Sequence, residues 1–201
     1  NMKKEIIISS LMGLIIGFFL APVILGGGGW NMMPWRAGSM MGANIDRHFI
    51  EQMIPHHEDA ITMAEIALDN RAEHEEIRQL SRDIVRTQTE EIEKMQAWYK
   101  EWYGREVITL IPEVHAHMAG MGMHMGMMGD DTDIESLENA KPFDKAFIEQ
   151  MIPHHQMAVM MANMLLRSTD RPEMKQLAQD IIEAQTREIN QMRGWYREWN
   201  Y

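Results

Sequence analysis

The 201-residue chain contains no cysteine. That absence removes disulfide scaffolds, thiolate zinc sites, cysteine nucleophiles and covalently attached c-type haem. Basic residues are also scarce: 19 Lys and Arg stand against 30 Asp and Glu, for a formal net charge of −11. Such a balance excludes nucleic acid as an expected partner, because phosphate contacts draw on clustered positive charge. Strand signals, in the form of alternating β-branched runs, are nearly missing as well. What the chain has in excess is methionine, with 22 residues. Without thiolates, Met thioether and His imidazole are the soft-metal ligands that remain.

Lys3 and Lys4 precede an uncharged run from Ile6 to Leu25. At 1.5 Å per residue that run reaches about 30 Å, the hydrocarbon thickness of a bilayer. The basic start directs residues 1–5 to the cytoplasm and everything after the run outward. The expectation is a retained inner-membrane anchor over 6–25, an N-terminal hydrophobic helix with the folded body in the periplasm. A cleaved export signal, leaving a soluble periplasmic protein, is the competing reading. Gly26 to Gly29 opens a Gly/Met linker over 26–43 that carries Met32, Met33, Met40 and Met41. Trp30 and Trp35 suit the membrane interface.

The body is a duplication. Phe49-Ile-Glu-Gln-Met-Ile-Pro-His-His57 recurs unchanged as Phe147 to His155, and Gln88, Glu91, Met95 and Trp98 recur as Gln185, Glu188, Met192 and Trp195. Each copy reads as two helices, which gives a first hairpin over 44–104 and a second over 142–201. Asn44 is the expected N-cap of the first helix. Asn70-x-x-Glu73 and Asp170-x-x-Glu173 have capping-box spacing ahead of the second helices. Pro142 and Pro172 suit first-turn positions. Ile77, Leu80, Ile84, Met95, Trp98 and Trp102 fall on one face, as do Met174, Leu177, Ile181, Met192, Trp195 and Trp199. Two hairpins that must each bury such a face predict an all-α four-helix bundle. Pro55 and Pro153 fall inside the first helices and are expected to kink them beside the histidines.

Polar groups interrupt that apolar face. Gln88 and Glu91 share the stripe of Ile84 and Met95, and Gln185 and Glu188 repeat the placement. A buried carboxylate is costly unless paired. Counting back through the hairpin turn brings Met53, His56 and His57 opposite Gln88, Glu91 and Met95. The second copy does the same with Met151, His154, His155, Gln185, Glu188 and Met192. A polar core network with Met as filler is the plain reading. The repetition favours metal sites, with Glu91 and Glu188 either as ligands or as partners that fix the imidazole tautomer.

The link over 105–141 adds His115, His117, Met118, Met121, Met123, His124, Met125, Met127 and Met128, spaced by glycine. Flexible linkers are normally Ser, Gly or charged. Thioether and imidazole on such a backbone suit Cu(I), with Ag(I) as its surrogate, and thioethers bind without releasing protons. Met157, Met160, Met161 and Met164 form a further helical cluster that packing explains as well as metal does. His48 and His74 are expected on the surface.

The Phe-Ile-x-x-Met-Ile-Pro-His-His block, the following Met63-Ala64 and Met161-Ala162, and the later Gln-x-x-Glu-x-x-x-Met-x-x-Trp resemble a bacterial family. It is the ferritin-like domain-of-unknown-function 305 family, which includes a cyanobacterial periplasmic copper-binding protein. The resemblance covers about residues 44–201. It implies a ferritin-like four-helix bundle outside the cytoplasmic membrane that binds copper as Cu(I). Carried over by motif, bundle ligands come from Met53, His56, His57, Met63 and Met95, and from Met151, His154, His155, Met161 and Met192.

The expected function is sequestration or relay of periplasmic copper, with a copper-receiving protein or membrane complex as partner and no enzymatic activity. Di-iron oxidase chemistry in such a bundle wants Glu-x-x-His on two helices, and no Glu here is followed by His at that spacing. The alternatives are a membrane-anchored structural subunit of a larger complex or a ferritin-like metalloenzyme.

Overall fold

A computed structural model describes residues 37–107 and 133–201. The expected anchor over 6–25 lies outside those residues, as do most of the linker and residues 108–132 of the Met/His link. Among the described residues there is no strand, and no helix is long and apolar enough to cross a membrane.

Helix α1 (Ala37–Ile66) runs into a π-helical turn (Ala67–Arg71), followed by α2 (Glu75–Tyr103). A short α3 (Ile134–Asn139) leads to α4 (Phe143–Ser168) and α5 (Pro172–Glu198). The bundle is therefore all-α, as expected, with one addition. Asp133 caps α3 by accepting from the Ser136 backbone N–H, and α3 drops Leu137 fully into the core. Its six residues are too few for a periodicity argument, and the sequence reading passed over it as link.

α1 packs along α2, α4 along α5, and α1 along α4. Two apolar clusters run through all four long helices. One takes Phe49–Ile54 of α1, Ile92–Tyr99 of α2, Ala158–Leu165 of α4 and Met174–Ile181 of α5. The other takes Ala60–Ala67, Ile77–Ile84, Phe143–Met151 and Met192. Each helix thus enters one cluster before its polar residues and the other after them. α1 and α4 run antiparallel, and equivalent residues of the two copies sit at opposite ends. The duplication has become a two-fold-like arrangement about the middle of the bundle.

The ends differ from the expected capping. α1 begins at Ala37, inside the stretch read as linker, so Asn44 lies within a helix instead of capping one. Neither capping box forms: His74 and Arg171 are the N-cap residues, and neither makes a side-chain cap bond. A carboxylate from the other hairpin does the work at α2. Asp144 Oδ1 accepts from the Glu73 N–H at 2.9 Å, and Oδ2 accepts from the His74 N–H at 2.7 Å. These are orphan donors of a helix start, met by a fully buried anion. Pro172 occupies the first turn of α5 as expected, whereas Pro142 stands one residue before α4 as its N-cap. Gly104 closes α2 at φ 68°, the left-handed conformation that glycine adopts without strain. Pro55 and Pro153 lie inside α1 and α4, and both helices continue through them.

Candidate metal centre

Between the two apolar clusters lies a polar layer made from all four long helices. α1 supplies His56 and His57, α2 supplies Gln88 and Glu91, α4 supplies His154 and His155, and α5 supplies Gln185 and Glu188. His57 and His155 are fully buried, and Gln88 and Gln185 are each 3% exposed.

The predicted pairing within each hairpin forms, and forms twice. His57 Nε2 meets Glu91 Oε2 at 2.7 Å, and His155 Nε2 meets Glu188 Oε2 at 2.7 Å. A carboxylate only accepts, so Nε2 carries the hydrogen of each contact, and in the neutral form of such a ring the lone pair falls on Nδ1. The other nitrogen, Nδ1, is then a lone-pair donor. His57 Nδ1 and His155 Nδ1 are both buried and have no hydrogen-bond partner among the described residues, and the same holds for Gln88 Oε1 and Gln185 Oε1. Buried polar atoms are rarely left unpaired. Four such atoms recur at equivalent positions in the two hairpins.

One arrangement was not predicted. His56 and His154 do not stay with their own hairpins; their rings meet in the middle of the bundle with centroids 3.7 Å apart. His56 lies 6.4 Å from His57, and His154 lies 6.2 Å from His155. Glu91, His57, His56, His154, His155 and Glu188 therefore form a line across the core. The signal was available: a duplicated hairpin allows a two-fold relation, which brings the mid-helix residues of α1 and α4 together.

The thioethers flank this line and are partly exchanged between hairpins. Met53 and Met95 are fully buried in the first cluster, against which Met161 of the second hairpin packs. Met151 and Met192 are fully buried in the second cluster, together with Met63 of the first hairpin. The positions carried over as ligands thus divide into Met53, Met95 and Met161 on one side and Met151, Met192 and Met63 on the other. Sequence counting within one hairpin could not see the crossing. Among the described residues no group of three or more His, Asp or Glu side chains is disposed to hold a metal. The link residues His115, His117, Met118, Met121, Met123, His124, Met125, Met127 and Met128 lie outside the described residues.

The ends of the bundle carry a second repeated motif. His74, expected as a plain surface residue, has its Nδ1 2.7 Å from Asp144 Oδ2 and stacks on Trp199 with centroids 3.7 Å apart and planes 5° apart. At the equivalent place Arg171 lies 3.2 Å from buried Asp46 and 3.9 Å over the Trp102 ring. Trp102 and Trp199, the last residues of two Trp-Tyr-x-Glu-Trp runs (98–102 and 195–199), therefore each clasp the opposite hairpin. His48 is exposed as expected.

A family model described as "Domain of unknown function (DUF305)" matches residues 46–196. The fold is similar to that of CopM in a Cu(I)-bound form, with 47% identity, 77% of this chain and 96% of that one covered, and a TM-score of 0.65. For CopM in a Cu(II)-bound form the identity is 50%, the coverage 77% and 97%, and the TM-score 0.67; CopM also exists in an Ag-bound form. A DUF305 fragment from Deinococcus radiodurans is 29% identical over 77% of this chain and 96% of its own, with a TM-score of 0.61. The uncharacterized protein L153 of Acanthamoeba polyphaga mimivirus is 49% identical over 49 residues, which are 24% of this chain and 32% of that protein. The chain therefore spans about a third of that curated relative.

Proposed function

The chain belongs to the DUF305 family, and on that premise we propose that it is a periplasm-facing copper-binding protein that sequesters or relays Cu(I). Its bundle offers two equivalent sites and its Met/His link offers a third, looser one. The reading is supported by the similarity to CopM, whose structures are described with copper and silver. The observation that carries it is internal. His57 and His155 each give Nε2 to a glutamate and keep a buried, unpartnered Nδ1 in a core lined by thioethers.

In this reading Nδ1 of each histidine is the ligand atom. Glu91 and Glu188 orient the ring from behind and raise its basicity. Met53 and Met95, joined by Met161, supply sulfur on one side; Met151 and Met192, joined by Met63, supply it on the other. Thioether and imidazole favour the soft monovalent ion, and no ligand has to lose a proton on loading. His56 and His154 stand between the two sites and are the shared ligands through which an ion passes from one to the other. The 6–25 segment holds the protein at the inner membrane, and a membrane complex or soluble acceptor receives the ion.

The test is competition between the protein and a chromophoric Cu(I) chelator. Replacing His57 and His155 by Gln, alone and together, is expected to lower the number of tightly bound ions by about one per site removed. Unchanged stoichiometry in the double variant would leave the link as the binding element and sink the bundle sites. Glu91→Gln is expected to weaken its site by about 10- to 100-fold without removing it, as loss of a partner behind a ligand does.

A further inference from the structure

The two hairpins are not equally dressed. Met157, Met160, Met161 and Met164 stand at i, i+3, i+4 and i+7 on α4, while the equivalent positions of α1 hold Asp59, Thr62, Met63 and Ile66. The first hairpin keeps a methionine only at Met63, the core counterpart of Met161, so packing accounts for Met161 and not for the methionines at 157 and 160. Burial does not account for the outer pair either. Met160 is 41% exposed and Met164 46% exposed, and they are the large apolar side chains left exposed among the described residues. Met157 and Met161 are half-buried. The stripe therefore grades from solvent to core across one helix face.

It also leads somewhere. Helical side chains lean toward the N-terminus of their helix, and residues three, four and seven apart share a face. Met157 and Met161 follow His154 at i+3 and i+7, so the stripe leans back toward that buried histidine, which is 5% exposed and in contact with His56. Methionine has three rotatable bonds and a polarizable sulfur. Four of them on adjacent turns can gather two or three sulfurs on one ion without moving the backbone.

We propose that Met157, Met160, Met161 and Met164 form a surface capture site for a soft monovalent cation, Cu(I) or Ag(I), that opens onto the histidine line at His154. The proposal rests on the soft-metal reading of the bundle and adds an entry port found on the second hairpin only. The ion arrives solvated or chelated and exchanges those ligands for thioethers at Met160 and Met164. It moves inward to Met157 and Met161 and meets imidazole at His154. No redox change or proton transfer is involved, because thioethers are neutral at both ends of the exchange. The first hairpin, with Asp59 and Thr62 in place of Met157 and Met160, has no equivalent port.

The test uses the full chain labelled with 13C-methyl methionine and titrated with silver nitrate, followed by methyl resonances. The four α4 methyls are expected to move together within the first equivalents added. Met160→Leu with Met164→Leu, exposed changes of nearly equal volume, is expected to abolish the early movement of Met157 and remove about one bound silver per chain, while Met161 still responds together with Met53 and Met95. Met53, Met95, Met151 and Met192 are expected to respond in both proteins. If those four respond while the α4 stripe stays still until they are saturated, the port is overturned and the bundle sites stand. If none of the eight responds, both readings fall. Methyl shifts that follow protein concentration without silver identify the stripe as a contact between copies and also overturn the port.

Discussion

Asp46 and Asp144 are the same residue of the two copies, and the two hairpin turns use them differently. Asp144 is fully buried and satisfied on both oxygens, by two backbone N–H groups and the His74 ring. Asp46 is 1% exposed; its Oδ2 faces Arg171 and its Oδ1 has no partner. The difference traces to one neighbouring position. Where the first turn has Ala72, the second has Thr169, whose Oγ1 accepts from the Arg171 N–H at 3.1 Å. That local turn takes the donor an aspartate would otherwise receive, and Thr169 also hydrogen-bonds Asp46. Arg171 then answers the charge from its side chain and lies flat over Trp102. A duplicated fold can hold one architecture while exchanging a helix-capping carboxylate for an ion pair.

The largest way to break this comparison is to remove each aspartate. Asp144→Ala strands two backbone donors and the His74 ring, and is expected to cost about 2 kcal/mol in urea unfolding. Asp46→Ala is expected to cost about 1 kcal/mol, because the carboxylate it removes is only half satisfied. Equal losses would show that the unpartnered oxygen of Asp46 carries no energetic consequence.

A smaller effect concerns the tyrosines that follow the polar layer. Tyr99 donates to Glu51 and Tyr196 to the equivalent Glu149, each at 2.5 Å. Tyr99 is 1% exposed and its glutamate also receives Arg47 at 2.9 Å, whereas Tyr196 is half-buried and its partner Glu149 is exposed. Tyr99→Phe is expected to destabilise by about 1 kcal/mol in the same unfolding assay. Tyr196→Phe is expected to be indistinguishable from wild type, since water replaces the lost partner.

The smallest effects are in pH dependence, and they have opposite signs at the two carboxylates of α1. Burial pushes the Asp46 carboxyl above its ordinary value of 3.8, against the pull of Thr169 and Arg171. Its contribution to stability is present below that value and is lost as pH rises through the folded one. Burial also works against ionised Glu51, but the hydrogen bonds of Tyr99 and Arg47 together prevail and hold it below its ordinary 4.5. Its contribution is present above 4.5 and is lost as pH falls through the folded value. Asp46→Asn is expected to flatten the loss of stability on the rising side, and Glu51→Gln the loss on the acid side. Thermal unfolding scans between pH 3 and 7 distinguish the two. Identical profiles for wild type and Asp46→Asn would remove the case for a desolvated Asp46.

Much of the bundle was legible because it is periodic. The apolar stripes of α2 and α5 and the nine-residue repeat lead directly to two hairpins, and the polar residues inside a stripe lead to the His57–Glu91 and His155–Glu188 pairs. The capping boxes failed for a physical reason: a local side chain competes with any other acceptor for the same N–H. Asp144, held by the opposite hairpin, takes both donors ahead of α2. α3 escaped notice because six residues hold too little periodicity. The contacts of His74 were not legible because its two partners, Asp144 and Trp199, are distant in sequence.

The sequence by itself determined the helical class, the duplication, the absence of thiol chemistry and the residue types available to a soft metal. These depend on composition, on spacings shorter than one helix and on the identity of two stretches of the chain. Tertiary structure alone decided how the copies meet. It ran α1 antiparallel to α4, brought His56 against His154, and traded Met63 and Met161 between the two sides of the core. Such contacts join residues about a hundred positions apart, and the packing of whole helix faces selects them. An internal repeat allows that meeting without specifying it.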